Sequence, residues 1–525
     1  MYIQQLNPTG NVGFTIFLSL IPLIVLFLLL IVFRLTAWLA SIIGAVVGIL
    51  DAVAVWKTPP GLALTSFLIG ALTGTWAISW IVFWGLTFYN TLVLTGKYEA
   101  FKQWVLRNAT GDVRIQAILL AWSFGALFEG LVGFGYPWAL VSPVLIGIGF
   151  EELTALKVTA IANNAPVSYG ALGTPIIILS AVTGLPLLFI SSSVAKIVAI
   201  LAFLPPFLLA FIVDRWRGIR DVWPFALLAS ISYIIGQYPM ASFVGPYLPD
   251  ITGSMISFIV LLAFLKVWRP RRTITNDKVQ IERKNVQGIG RFWLAILAVV
   301  IVVTLWTGPW SPLTKLNIAT LSLHAYSQLY HKTVAVSFAF NPAVAGTSIM
   351  AAWLVSLPIL GAKPSTVKEA LTRSFHQYWG GILTGVFVVG LALVFNYSGM
   401  AYSLAWKAAD LSALFIIVSP IFGWIGCALS GSNTSTNALF GAFQVAVAKV
   451  SGLPIGLTPS LNSVGAEVAK PVAPQTLSAG VSTTSYVRKE GVVARNNLPW
   501  TILLLVYLIL IGVLYYLLAP GLFMS

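Results

Sequence analysis

The sequence predicts an all-α polytopic membrane protein with about 12–14 transmembrane segments, arranged as two inverted repeats that carry broken or re-entrant helices. Three observations predict it. Of 525 residues, 58% are apolar and only 9% charged, whereas a soluble globular chain carries roughly 25% charged residues to face water. Uncharged runs long enough to cross a bilayer recur along the whole chain. The two halves also echo each other at an offset of about 300 residues.

The runs begin near Val12, Leu35, Thr75, Val113, Leu187, Val222, Ile251, Phe292, Ala343, Tyr378, Leu411 and Leu498. The first follows a segment without Lys or Arg and is long enough to span, so it reads as a retained helix and not as a cleaved signal peptide. Thirty Lys and Arg against fifteen Asp and Glu give a net charge of +15. In a soluble chain that excess would suggest nucleic acid. Here the basic residues sit in short gaps between apolar runs, where they orient the chain, and no nucleic-acid partner is expected. The most basic gap, 269–291, contains Arg271, Arg272, Lys278, Arg283 and Lys284, and a second surrounds Arg488, Lys489 and Arg495. Both are expected to face the cytoplasm, together with Lys97, Lys102, Arg107 and Arg114, which puts Asn11, Leu522 and both termini outside a plasma membrane. The layout is then a first repeat over 1–213 with site motifs in 125–184. A connecting helical hairpin and basic loop follow over 214–290, and a second repeat over 291–525 has site motifs in 426–484. The basic gap is too short to bury a core of its own.

The echo is ordered. Gly125-Ala126-Leu127-Phe128-Glu129-Gly130 aligns with Gly426-Cys427-Ala428-Leu429-Ser430-Gly431, Asn163 with Asn462, Pro175 with Pro474, and Gly96 with Gly399. The loop after Gly96 is rich in Lys and Arg, whereas the one after Gly399 carries only Lys407 against Asp410. That asymmetry is the signature of repeats inserted with opposite orientation.

Each half contains a region that a lipid-facing helix would not tolerate. The first half has Gly130, Gly133, Gly135, Tyr136 and Pro137, then Asn163-Asn164-Ala165-Pro166, Ser168, Gly173, Thr174 and Pro175. The second has the unbroken polar run Ser432-Asn433-Thr434-Ser435-Thr436-Asn437, then Asn462, Glu467, Lys470, Pro474 and Gln475. Gly and Pro break helices, and backbone groups freed within a membrane have to be satisfied by protein or by a wet cavity. Two such breaks facing each other make a binding site whose helix N-termini suit an anionic carboxylate. The candidate substrate-binding residues are Tyr136, Asn163, Asn164, Ser168 and Thr174 from the first half. From the second come Ser432, Asn433, Thr434, Ser435, Asn437, Lys470 and Gln475. Small polar side chains also serve as packing glue between helices, which is the alternative reading of any one of them.

Charged groups inside apolar runs demand a reason. Glu129, beside the first break, is the foremost candidate for a proton carrier, and Glu467 is the second. Glu467 and Lys470 are three residues apart and could instead form a structural ion pair. His324 and His331 fall in a polar external segment and His376 in a cytoplasmic loop; with Lys196 and Asp51 they receive no role. The single cysteine, Cys427, has no intrachain partner and no metal-site neighbours. No phosphate-binding loop is present, so transport has to run on ion gradients, and neither cofactor nor metal is expected.

At these motifs the chain resembles the lactate permease family of secondary transporters. The resemblance runs from Asn7-Pro8-Thr9-Gly10-Asn11 through Phe128-Glu129-Gly130 and Gly133-Phe134-Gly135-Tyr136-Pro137. It continues in Asn164-Ala165-Pro166-Val167, Gly173-Thr174-Pro175, Trp216-Arg217-Gly218-Ile219 and Gly245-Pro246-Tyr247-Leu248-Pro249-Asp250-Ile251. Asn396-Tyr397-Ser398-Gly399, the 431–437 run and Lys470 through Gln475 complete it. The resemblance implies import of L-lactate, with glycolate or related short 2-hydroxy monocarboxylates, by proton symport. It also shows departures: family members carry Asp where this chain has Asn433, and a small residue in place of Tyr136. A Na⁺-coupled or other organic-anion transporter of the same fold is the competing reading. A membrane-embedded enzyme would need a convergent acid, base or metal set that the chain lacks. Oligomeric state is left open, a homo-oligomer included.

Overall fold

The computed structural model of the protein describes residues 2–108, 111–133, 135–274, 288–482 and 484–524. Helices dominate it, because a backbone in lipid has to satisfy its own N–H and C=O groups. Among the described residues ten helical stretches are long and apolar enough to cross a membrane. The bent pair Glu152–Ala162 and Val167–Thr183, whose halves meet at 67°, makes an eleventh. The count from sequence was about 12–14, and the difference lies where helices break. Leu187–Phe243 holds 57 residues, about 85 Å of helix against a hydrocarbon core of about 30 Å. It is interrupted at Arg215, whose φ of 54° leaves the helical region. Helices such as Tyr136–Gly147 and Pro474–Val481, with 12 and 8 residues, are too short to cross alone.

A small sheet accompanies the helices. Strand β1 (Tyr2–Gln4) pairs in parallel with β2 (Ala319–Ser327), which pairs antiparallel with β3 (Lys332–Phe340). In β3 Val334, Val336, Phe338 and Phe340 alternate with more exposed residues, the period of a half-buried strand. His324 lies in β2 and His331 in the turn beyond it.

One long helix defines the two faces. Pro364–Ser398 begins next to Gly361, which lies against Arg291: Nη1 would be 3.6 Å from a Cβ placed there. It ends where the Gln4 amide donates to the carbonyls of Asn396 at 3.0 Å and Tyr397 at 2.8 Å. The basic stretch and the N-terminal strand therefore lie on opposite faces. On the basic face the buried Arg114 pairs with Asp112 at 2.7 Å, Asp221 at 3.0 Å and Asp214 at 3.2 Å. Arg272 reaches Asp221 at 2.9 Å and also contacts Asp214. This cluster ties the start of one span to the break near Arg215 and to the basic stretch. Lys278, Arg283, Lys284 and the side chain of Arg107 lie outside the described residues.

Candidate functional site

The first break is built by glycine. Gly125–Leu131 ends at Val132, and Gly133 (φ 68°) and Gly135 (φ 79°) turn the chain before Tyr136–Gly147 begins with Pro137 in its first turn. A Cβ on Gly133 would stand 2.7 Å from the Cβ of Ala171, so the turn needs a residue without a side chain as well as a left-handed backbone. Further along, Glu152–Ala162 stops at Asn163, and the chain passes through the turn Val167–Tyr169 into Gly170–Thr183. That helix opens with a left-handed run, Ala171 (φ 47°), Leu172 (φ 57°) and Gly173 (φ 78°). Holding two non-glycine residues there costs on the order of 1–3 kcal/mol each, strain that concentrates at functional sites.

The second half repeats the device. Phe415–Ser430 ends at Gly431 (φ 80°), and Ser432 caps Asn433–Ser451, its hydroxyl accepting from the Ser435 N–H at 3.1 Å. The polar run is thus the first turns of a helix, with N–H groups free to meet an anion. Leu457–Ala469 then stops at the turn Lys470–Val472 and resumes as Pro474–Val481. The turn Lys470–Val472 lies 303 residues beyond Val167–Tyr169. Asn163 ends its helix whereas Asn462 lies inside one, so the offset of 299 at that pair is not the offset at the breaks.

Where the breaks meet, a small cavity is lined by Glu129, Gly133, Val167, Gly170, Ala171, Thr174 and Pro175 from the first half, and by Ser432, Asn433, Thr434 and Lys470 from the second. The Thr174 hydroxyl and both polar atoms of the Asn433 amide are buried without a hydrogen-bond partner among the described residues. Buried polar atoms are paired as a rule, and these three, facing one cavity, lack a partner among the described residues. Lys470 is 5% exposed and forms no ion pair among the described residues. Glu129 accepts from the Asn163 amide at 3.1 Å through Oε2. Its Oε1 lies against Gly170, only 2.6 Å from where a Cβ on that glycine would stand.

Other expected residues fall behind or beside this cavity. The Ser168 N–H donates to Glu467 at 3.1 Å, and its hydroxyl donates to the same carboxyl oxygen. Glu467 is therefore held by the opposite repeat, and an ion pair with Lys470 is absent among the described residues. The Asn437 amide donates to Ser463 at 2.9 Å and to the Pro175 carbonyl at 3.0 Å, and it accepts from Asn462 at 3.2 Å. Ser168, Glu467 and Asn437 thus form a buried network that locks the two halves together, and none of them lines the cavity. Asn164 is buried, its amide donating to the Ile161 carbonyl at 3.2 Å. Ser435 and Gln475 line a larger vestibule with Trp38, Tyr378 and Thr384. The vestibule shares Ser432 and Thr434 with the small cavity and so leads into it. The side chain of Tyr136 lies outside the described residues, as does Phe134.

The connecting hairpin also reaches the site. A Cβ on Gly173 would collide with the Pro246 carbonyl, and one on Gly130 would stand 2.8 Å from the Cβ of Asp250. The Tyr233 hydroxyl donates to Asp250 Oδ1 at 2.8 Å. The available signal was Asp250 itself, an acid between apolar runs.

Comparison with known proteins gives a consistent picture. A profile of the L-lactate permease family matches residues 15–521. The glycolate permease GlcA of Escherichia coli strain K12 is 33% identical, over 95% of this chain and 95% of its own. The L-lactate permeases of Salmonella typhimurium and Bacillus subtilis are each 30% identical, over 97% and 96% of both chains respectively. Among solved structures, the YdaH transporter of Alcanivorax borkumensis aligns with a TM-score of 0.49 at 15% identity, covering 89% of this chain and 91% of that one.

Proposed function

The chain belongs to the L-lactate permease family, and from that premise we propose that it imports L-lactate, glycolate and related short 2-hydroxy monocarboxylates together with a proton. It is a multi-pass membrane permease and not an enzyme. The carrying observation is the composition of the small cavity: one unpaired lysine, unpartnered hydroxyl and amide groups, and one carboxyl on the facing wall. Lys470 and the free N–H groups at the start of Asn433–Ser451 take the substrate carboxylate. Thr174 and Asn433 hold the 2-hydroxyl, a donor and acceptor that an amide and a hydroxyl can both address.

Glu129 carries the coupled proton next to the bound anion. A carboxylic acid with a pKa near that of Asp, about 3.9, is an anion at neutral pH, so entry with one H⁺ moves no net charge. In this reading the basic face is cytoplasmic, both termini are outside the plasma membrane, and the vestibule is the path of release. The test is radiolabelled L-lactate uptake into proteoliposomes under an inward H⁺ gradient, an inward Na⁺ gradient or neither, with glycolate as competitor. Accumulation under H⁺ alone is expected. Accumulation under Na⁺ alone overturns the coupling, and none under any gradient overturns the substrate.

A further inference from the structure

The tip of the connecting hairpin is packed into the site, and it brings an acid that the cavity does not use. Asp250 is 1% exposed and sits in the first turn of Pro249–Val267. An acid in the first turn ordinarily faces the free N–H groups of its own helix. Asp250 accepts instead from the Tyr233 hydroxyl, through Oδ1 at 2.8 Å, and Oδ2 is buried without a hydrogen-bond partner among the described residues. No cation pairs with it among the described residues.

Packing sets Asp250 against Gly130, the residue next to Glu129 in the chain. Gly130, the residue after Glu129, lies so close to the hairpin tip that an added Cβ would stand 2.8 Å from the Asp250 Cβ and 3.2 Å from the Ile251 nitrogen. The titratable groups within electrostatic reach of Asp250 are Tyr233 on the other arm of the hairpin, Glu129, Glu467 and Tyr169. Only Glu129 among these borders the substrate cavity. A buried carboxylate with a single donor and no cation is costly as an ion. The positive end of its own helix offsets part of that cost. Oδ2, with no hydrogen-bond partner among the described residues, is the oxygen of Asp250 that can take up or release a proton.

We propose that Asp250, oriented by Tyr233, is a second proton station that exchanges protons with Glu129 from the side away from the substrate. The step is one proton moving between the Glu129 carboxyl and Asp250 Oδ2. One acid becomes neutral as the other becomes an anion, and no other bond is made or broken. The inference rests on the proton-coupled reading above, and the two fail differently. Wild-type protein that does not accumulate L-lactate under an H⁺ gradient defeats that earlier reading before any variant is compared.

The experiment compares two modes in proteoliposomes: accumulation driven by an inward H⁺ gradient, and exchange of labelled for unlabelled L-lactate at equal concentrations on both sides, which needs no net proton movement. Asp250→Asn is expected to retain exchange and to lose gradient-driven accumulation to the level of protein-free liposomes. Tyr233→Phe is expected to retain both modes with a displaced pH profile of accumulation. Accumulation by Asp250→Asn equal to wild type overturns the proposal, and so does loss of exchange together with accumulation in folded protein. If Asp250→Asn is not recovered folded, Asp250→Glu carries the test: accumulation with a displaced pH profile supports the station, and an unchanged profile overturns it.

Discussion

Replacing Lys470 with methionine removes the cation of the cavity while keeping an unbranched side chain of similar length. Lys470 is 5% exposed and pairs with no carboxylate among the described residues, since Glu467 is held by Ser168 instead. The substitution breaks no ion pair among the described residues, although it removes the cation nearest Glu129 across the cavity, and folding stability is expected to change by about 1 kcal/mol. Substrate binding has to lose the hydrogen bond between an ammonium and a carboxylate, about 1.5–3 kcal/mol. At about 1.4 kcal/mol per tenfold, that is about a 10- to 150-fold weaker half-saturation concentration. The assay is the L-lactate concentration dependence of uptake and of exchange, with thermal unfolding of the purified variant alongside. A folded Lys470→Met protein with the half-saturation concentration of wild type refutes the assignment of Lys470 as carboxylate ligand.

Other perturbations separate the parts of the site. Glu129→Gln is expected to abolish H⁺-driven accumulation while exchange still saturates at L-lactate concentrations close to those of wild type; equal loss in both modes contradicts a coupling role. Asn437→Ala removes the hydrogen bonds that Ser463, Asn462 and the Pro175 carbonyl make to it and is expected to cost about 1–3 kcal/mol of stability, read as a lower melting temperature with little change in substrate affinity. Gly173→Ala places a Cβ on the Pro246 carbonyl at a φ of 78°, so the folded protein is expected to be recovered in much lower yield, as size-exclusion profiles in detergent would show.

The sequence and the structure agree best where the signal was a broken pattern in an otherwise apolar chain. Gly133, Gly135, Gly173 and Gly431 all adopt the left-handed backbone that their clustering implied. Glu129, Thr174, Ser432, Asn433, Thr434 and Lys470 meet around one cavity, although they come from halves about 300 residues apart in sequence. Asn437 was indistinguishable from these in sequence. Only its hydrogen bonds to Ser463 in the next helix and to Pro175, 262 residues away in sequence, place it behind the cavity, and such partners leave no trace in local pattern. The strand hairpin 319–340 was missed because alternation in Val334, Val336, Phe338 and Phe340 was read against a background already rich in apolar residues. The contact of the hairpin tip with the site is legible only in part: Asp250 stands out as an acid between apolar runs, whereas the approach of the Pro246 carbonyl to Gly173 has no mark in residue type.

The central claim is that the cavity between the two breaks is where the substrate sits, and the chain's single cysteine allows a direct measurement. Cys427 is fully buried, so Asn433→Cys in a Cys427→Ala background presents one thiol in the cavity wall. The rate at which a small membrane-permeant thiol reagent modifies it is measured with and without L-lactate. Protection that rises with L-lactate concentration, at concentrations that also saturate uptake, and that an equal concentration of chloride does not reproduce, is the expected result. A modification rate indifferent to L-lactate in a protein that still transports it contradicts the claim and moves the substrate elsewhere.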